Sequence, residues 1–406
     1  MKIAVIGGGA AGFFAAISCK NYNKNVEVVL FEKTKKLLAK VKVSGGGRCN
    51  VTNSCFSISE LAGKYPRGEK FLKKAFSQFY TKDTIKWFES RQVKLKVEAD
   101  NRMFPVTDDS QTIIDCLLTE SRKLGVEIRK ESTVEKVIQD GGYFILDVDY
   151  EKVAVDKIIV TTGGSPKMSS YLWLQELGHK IEPPIPSLFT FNMPNEPIKS
   201  LMGLVADNVT VSIQGTKLKN QGALLITHWG MSGPAILKLS AFAARELYTR
   251  NYDFEVRINW LGSFNENQLR EKLHLEFDGF RKRKMINKNP FNLPSRLWLF
   301  LLEKVDISQE QVWDILPKKK LNQLINVLLN DLYKVKGKTT FKEEFVTCGG
   351  VSLQNIDVKT MESKVCPGLY FSGEVMDIDG VTGGFNFQAA WTTGFIAGKS
   401  AVEVLE

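Results

Sequence analysis

Gly7-Gly8-Gly9-Ala10-Ala11-Gly12 near the start of the chain, and Glu32 twenty residues beyond, have the types and spacing to hold a dinucleotide. Gly7 permits a tight turn, Gly9 leaves room for a pyrophosphate to approach the backbone, and Gly12 lets a helix pack closely on the preceding strand. Unpaired N–H groups and the positive dipole end of that helix face the phosphates, and Glu32 can bind ribose hydroxyls. A lone glycine fingerprint is weak, so the elements around it decide. The apolar run Ile3–Ile6 predicts a strand, the small residues after Gly12 a helix, and Val26–Phe31 a second strand closed by Glu32. This order favours dinucleotide binding over a purely structural glycine turn.

Three further segments can complete such a site. Ser44-Gly45-Gly46-Gly47-Arg48-Cys49-Asn50-Val51-Thr52-Asn53 is a loop whose backbone can approach a planar or anionic ligand, and its Arg-Cys-Asn core sets it apart from a Gly/Ser linker. Ile158-Ile159-Val160 leads into Thr161-Thr162-Gly163-Gly164, a strand whose carboxyl end can meet a dinucleotide. Gly368–Phe371 runs into Ser372-Gly373-Glu374, and Gly383-Gly384-Phe385-Asn386-Phe387-Gln388 opens a small-residue helix expected to reach about Val404. In flavoproteins with a single nucleotide fold, such a returning strand brings an acid to the ribitol. The helix start then faces the pyrimidine side of the flavin, where reduction builds negative charge. The return therefore points to FAD rather than NAD as the tightly held cofactor.

The 406 residues are 43% hydrophobic and 25% charged, enough for a large core and two or three domains. Pro183, Pro184, Pro186, Pro194 and Pro197 mark a domain crossing near 185–200. The expected organisation is a first part of the FAD domain at 1–187, an inserted β module at 188–262, a basic helical module at 263–335, return strands of the β module at 336–350 and the C-terminal part of the FAD domain at 351–406. Val126–Arg129, Thr133–Ile138, Tyr143–Val148 and Lys152–Val155 read as a small meander. Phe189–Asn192, Val209–Gln214, Ala223–Thr227 and Phe254–Trp260 read as strands of the insertion, with a helix from Gly233-Pro234 to about Leu247. Ser263 to about Tyr333 reads as helical, and Phe345–Thr347 with Gly349-Gly350-Val351 as strand.

The formal charge of +10 is uneven. Lys33–Lys96 holds sixteen Lys and Arg against four Asp and Glu, and Ser263–Thr340 holds fifteen against nine. Two readings stay open: solvated helix faces, or a surface for a polyanion such as RNA. Aromatics at helical spacing across Lys70–Arg91 suit a core better than a base-stacking platform. The six cysteines lack metal spacing and there are only three histidines, so no metal is expected and a reduced, cytoplasmic protein is. Lys2 before an apolar segment could mimic a signal peptide, but glycines stand where its apolar core belongs. No apolar run long enough for a membrane span occurs.

With these motifs, Lys40, the segment Thr227-His228-Trp229-Gly230-Met231-Ser232-Gly233-Pro234 and Glu374-Val375-Met376-Asp377 in view, the chain resembles the YhiN-like flavoproteins, the BaiN/RdsA type of FAD-dependent oxidoreductase, over essentially its full length. The resemblance implies an α/β fold of GR2 type: a Rossmann-like FAD-binding domain interrupted by a β-barrel-like module and a helical module. It implies cofactor contacts from Gly7, Gly9, Ala10, Ala11, Gly12, Glu32, Lys33, Lys40, Ser44 to Asn50 including Arg48, Val134, Thr162, Gly163, Gly164, Gly373, Glu374, Asp377, Gly384, Phe385, Asn386 and Phe387. It also implies reduction of a conjugated C=C bond with NAD(P)H as a transient electron donor, since no second glycine fingerprint occurs. Substrates attributed within the family include a uracil of large-subunit ribosomal RNA, giving dihydrouridine, and steroid enones; an older label is aminoacetone oxidase. After Gly164 this chain departs from the usual longer glycine-rich link and runs Ser165-Pro166-Lys167-Met168.

Reduction of an enone or a uracil also needs a proton donor beside the carbon that is protonated. Cys49 and His228 are the candidates; Cys49 can instead simply fit beside a flavin, and His228 can be a hydrogen-bonded structural residue. Three functions follow from the sequence: a flavin-dependent reductase of a uracil in ribosomal RNA, a reductase or oxidase of a small enone or amine, and an RNA-binding flavoprotein whose FAD is structural.

Overall fold

The structure is a computed structural model describing residues 1–340 and 346–403. The expected strand start at Phe345 and helix end at Val404 lie outside these residues. The chain divides into two compact units: Met1–Ser187 joined by the C-terminal segment, and Leu188–Thr340.

The first unit is built on β1 (Lys2–Ile6), β2 (Glu27–Glu32), β3 (Glu127–Lys130), β4 (Lys157–Val160) and β5 (Leu369–Phe371). They form one sheet in the order β5-β4-β1-β2-β3, with every neighbouring pair parallel. Parallel sheets are covered on both faces, which is why Ile3-Ala4-Val5 and Ile158-Ile159-Val160 are unbroken apolar runs, all fully buried.

Two helices set the rest. α1 (Ala10–Tyr22) follows the glycine turn, and α2 (Phe385–Val402) packs along it. Gly394 and Gly398 make that approach possible: a Cβ at Gly398 would stand 2.3 Å from the Ala15 carbonyl oxygen. Ser18 Oγ adds a hydrogen bond to the Phe395 carbonyl at 2.9 Å. Phe14 projects from α1 into a cluster with Phe79, Trp87 and Trp391, at ring centroid distances of 5.4, 4.7 and 5.3 Å. The aromatics of 70–91 are thus largely core, at about 1.5–3 kcal/mol for each fully buried large side chain.

The meander is present as Val134–Asp140, Tyr143–Val148 and Glu151–Val155. Val126–Arg129, read as part of it, corresponds to β3 at the edge of the parallel sheet. The helix Gln111–Lys123 returns the chain parallel to β2, which a short apolar run cannot announce by itself. Val346–Val351 pairs antiparallel with Ile181–Ser187 inside the first unit, rather than with strands of the insertion.

The second unit holds a seven-stranded antiparallel sheet carrying the helix Pro234–Thr249. One continuous segment forms both of its edges. Asp331–Lys336 pairs with Asp253–Asn259, and past Gly337 the same segment pairs through Lys338–Thr339 with Thr190–Asn192, closing the sheet into a barrel-like ring. Residues 331–335, expected to be helical, are therefore strand. Asp331, Tyr333 and Val335 are buried and Leu332, Lys334 and Lys336 exposed, a two-residue period masked by the polar Asp331 and the exposed Leu332. Asp331 is buried because Trp260 Nε1, Tyr333 Oη and Lys304 Nζ all donate to it. Among the described residues no helix is long and apolar enough to cross a membrane, and no group of three or more His, Cys, Asp or Glu could hold a metal ion.

Candidate cofactor site

The glycine turn after β1 has the geometry its residues require. Gly7 has φ +117°, and a Cβ at Gly12 would lie 1.9 Å from the Gly7 carbonyl oxygen, so only glycine admits this contact of turn and helix. A Cβ at Gly9 would meet nothing within 4 Å. Open space therefore begins at Gly9, at the start of α1. Glu32, at the end of β2, turns back to this turn: its Oε2 accepts from the Gly8 N–H at 2.9 Å, and its Oε1 from the Thr34 N–H at 2.9 Å. Lys33 beside it is exposed, and Val134 begins the meander half-buried.

The loop 44–50 is not free-standing. Its first part belongs to Ala39–Gly47, a helix kinked where Ser44 is extended and Gly45 and Gly46 are left-handed. A three-stranded sheet of Leu95–Val97, Arg102–Pro105 and Thr52–Asn53 supports it from below. Arg48 lies 4.1 Å over the Phe104 ring and pairs with Glu98 at 2.6 Å, so its charge is engaged on the sheet side. Cys49 is wholly buried with φ +61°, and burial pushes its thiol up to about 12. A thiol so placed stays protonated and is sealed from solvent, which supports the packing role.

The two C-terminal pieces close on these loops. Asn50, oriented as its partners require, accepts from the Gly384 N–H at 2.8 Å. Asn53 Nδ2 donates to the Gly383 carbonyl at 3.1 Å, and Trp391 Nε1 to the Val51 carbonyl at 2.9 Å. The start of α2, with Phe385, Asn386 and Phe387, is thereby fixed against the 44–53 loop. Asn386 is engaged locally with Gly380, and Phe387 stacks on Trp391. Past β5, Gly373 has φ +77° and packs on Ala11. Glu374 accepts from Lys40 Nζ at 2.7 Å and from the Thr347 N–H at 2.8 Å, while Asp377 accepts from the Gly349 N–H at 3.1 Å. Thr162 is exposed at the end of β4, Gly163 opens onto unfilled space, and Gly164 abuts both Thr347 and Glu374.

The structure therefore brings together four segments distant in sequence, 7–12, 40–50, 162–164 and 373–387, with Glu32 at one end. His228 is not among them. It belongs to the second unit, exposed on the turn between Lys219–Ile226 and Gly230–Ser232, with its ring edge-on to Trp229 at 4.4 Å.

Two features lay beyond the sequence reading. The hydroxyl of Thr347 is fully buried with no hydrogen-bond partner among the described residues, beside Gly164 and Glu374. A buried orphan hydroxyl is costly, so one lying within this ring of segments fits a polyhydroxylated ligand chain such as a ribitol. The second is a buried ion pair, Arg67 with Asp379, reinforced by Ser187 Oγ donating to Asp379 at 2.6 Å. Burial pushes the Asp379 carboxyl up to about 6, while Arg67 and Ser187 hold it from rising further. Asp379 carries the loop leading to Gly380–Gly384, so this pair anchors the approach to α2. Neither residue stands in a local pattern; only the two-residue spacing of Asp377 and Asp379 hints at it.

With two helix starts, an acid at each end and the orphan hydroxyl between, these residues could hold an FAD. A family model described as HI0933-like protein Rossmann domain matches residues 1–400. The chain is 27% identical over 410 residues to a 3-dehydro-bile acid delta(4,6)-reductase of Clostridium scindens, covering 99% of each protein. It is 30% identical over 410 residues to a ribosomal RNA dihydrouridine synthase of Escherichia coli, covering 98% of this chain and 97% of the relative. Among solved structures, the open conformation of a flavocytochrome c3 fumarate reductase matches with TM-score 0.51 and 16% identity over 99% of this chain and 78% of that one. A 3-ketosteroid-delta4-(5alpha)-dehydrogenase of Rhodococcus jostii matches with TM-score 0.51 and 13% identity over 99% and 96%; these two likenesses speak to the fold. The chain belongs to the HI0933-like Rossmann family and is an FAD-dependent oxidoreductase.

Proposed function

We propose that the protein uses NAD(P)H to reduce the C5=C6 bond of a uracil in large-subunit ribosomal RNA, giving dihydrouridine, and that it does so in the cytoplasm. The observation that carries this reading is the excess of exposed lysines between residues 64 and 94 that no carboxylate of the described residues neutralises, a surface that a steroid enone does not require. The ribosomal RNA dihydrouridine synthase relatives of Escherichia coli and Haemophilus influenzae, at 30% and 29% identity, support it.

In this reading Gly7, Gly9, Ala10, Ala11 and Gly12 receive the pyrophosphate, Glu32 and Lys33 the adenosine ribose, and Val134 the adenine. Lys40, Ser44 to Asn50, Thr162 to Gly164, Gly373, Glu374 and Asp377 hold the ribitol and ring. The chemistry FAD supplies when bound is two-electron transfer between a nicotinamide and a C=C bond. The protein's own task is to orient the ring and stabilise the charge that builds on it. The N–H groups at the start of α2, next to Gly384 and Phe385, would supply the positive end of the helix dipole for this. Saturating the uracil takes a hydride and a proton, and His228 is the side chain to test as donor, because Cys49 is sealed from solvent.

A second reading, reduction of a small conjugated enone, draws on the Clostridium scindens bile acid reductase. Deleting the gene and mapping dihydrouridine in ribosomal RNA separates the two. The expected result is loss of one modified position; an unchanged map overturns the RNA reading. Anaerobic mixing with NADPH should bleach the flavin, and a flavin that never bleaches removes both.

A further inference from the structure

The lysines of residues 64–94 lie outside the four segments that form the cofactor site. Five of them ride on two short helices of the first unit, Glu69–Ala75 and Thr81–Glu89, and Lys64 follows a third, Ile58–Ala62, which carries no lysine. Leu61, Leu72, Phe76 and Phe88 turn inward and are fully buried. Lys64, Lys70, Lys73, Lys74, Lys82 and Lys86 are left exposed, and none has an ion-pair partner among the described residues. Lys70, Lys73 and Lys74 share one helix face, and Lys82 and Lys86 share another, spacings at which like charges repel.

An aromatic ring sits among them. Phe56 is 49% exposed, and Lys82 Nζ lies 5.9 Å from its ring centroid. Three residues on, Ser59 Oγ accepts from Lys73 Nζ at 3.3 Å. The segment Phe56–Ser59 thus touches both lysine-bearing helices, Lys82 of one at the Phe56 ring and Lys73 of the other at Ser59. It begins three residues after Asn53, which holds the Gly383 carbonyl at the start of α2. We infer that this face binds single-stranded RNA, the lysines meeting phosphates and Phe56 stacking on a base. Cations beside one exposed ring match a strand whose bases are unstacked, whereas a duplex offers no free base face. This inference rests on the RNA reading above and names the surface that reading needs.

The test is fluorescence anisotropy of the FAD-loaded full chain with a labelled oligouridylate of about twelve nucleotides. Wild type should bind with an affinity that falls steeply with salt. K70E/K73E/K74E should weaken binding at least tenfold and flatten the slope of log K against log salt by about 2. Phe56→Ala should weaken it about tenfold with the slope unchanged, and Phe56→Trp should restore it. All variants should melt with wild type and bleach with NADPH at its rate. Wild-type binding by the variants, alongside a dihydrouridine position that depends on the gene, overturns the surface and leaves the RNA reading standing. Tighter binding of duplex RNA than of oligouridylate overturns the single-strand assignment. Absence of salt-dependent binding by wild type overturns the surface, and the deletion map then decides the reading separately.

Discussion

A Cβ added at Gly12 or Gly398 would sit 1.9 or 2.3 Å from a carbonyl oxygen, whereas the ends of Lys70, Lys74 and Lys86 meet no carboxylate among the described residues. Both regions belong to the same unit, and they use their residues in opposite ways. In the cofactor cradle, position is everything: glycines set helix-to-helix and turn-to-helix distances, and charges such as Glu374 and Arg48 are already engaged. On the lysine face, position is loose and charge is left available. The basic stretch of the second unit holds both kinds: Arg270, Lys272, Lys284, Lys304 and Lys320 are paired with carboxylates, whereas Lys282, Lys318 and Lys319 have no ion-pair partner among the described residues. Net charge read from sequence does not distinguish these cases; pairing does.

Substitutions in the cradle are expected to act as all-or-none on cofactor retention and to ignore salt. Gly12→Val is expected to be the most damaging, costing about 3 kcal/mol or more in denaturant unfolding and leaving protein purified without flavin. Thr347→Val should separate the two states of the cradle. Removing an unsatisfied hydroxyl leaves the apoprotein as stable or up to about 1 kcal/mol more stable, while FAD affinity measured by titration falls several-fold. A loss of apoprotein stability would mean the hydroxyl is structural. On the lysine face the effects are graded: Lys86→Glu should lower RNA affinity about two- to fivefold at low salt and fade at high salt, with Lys272→Glu giving less. Equal effects from these two lysines would erase the contrast.

The cradle was legible where its chemistry is local. The strand, Gly7–Gly12, α1 and β2 with Glu32 can be read from about thirty consecutive residues, because each choice of residue answers a neighbour in the chain. Three strands of the meander and the returning Glu374 strand were legible for the same reason, while Val126–Arg129, assigned to the meander, is an edge of the parallel sheet. What escaped depends on partners far apart. Nothing around Arg67 announces Asp379, and Thr347 looks like any β-branched strand residue until Gly164 and Glu374 arrive beside it. The loop at 44–50 was recognisable by composition, yet its kinked helix and its seat on Phe104 are tertiary. Residues 331–335 were misread because a buried Asp331 hides a two-residue period.

The position of β5 in the parallel sheet governs how the protein is made. Its partner β4 leaves the ribosome first and waits for roughly two hundred further residues, about 10–40 s at ordinary translation rates. During that interval β4 is an unpaired sheet edge, and α1 lacks the helix that covers its glycine-matched side. The second unit, contained wholly within that interval, can fold before the first is finished. A nascent chain halted between the two would carry a finished barrel on an unfinished nucleotide fold, which makes chaperone engagement of the stalled chain and FAD capture only after release the expected order of events.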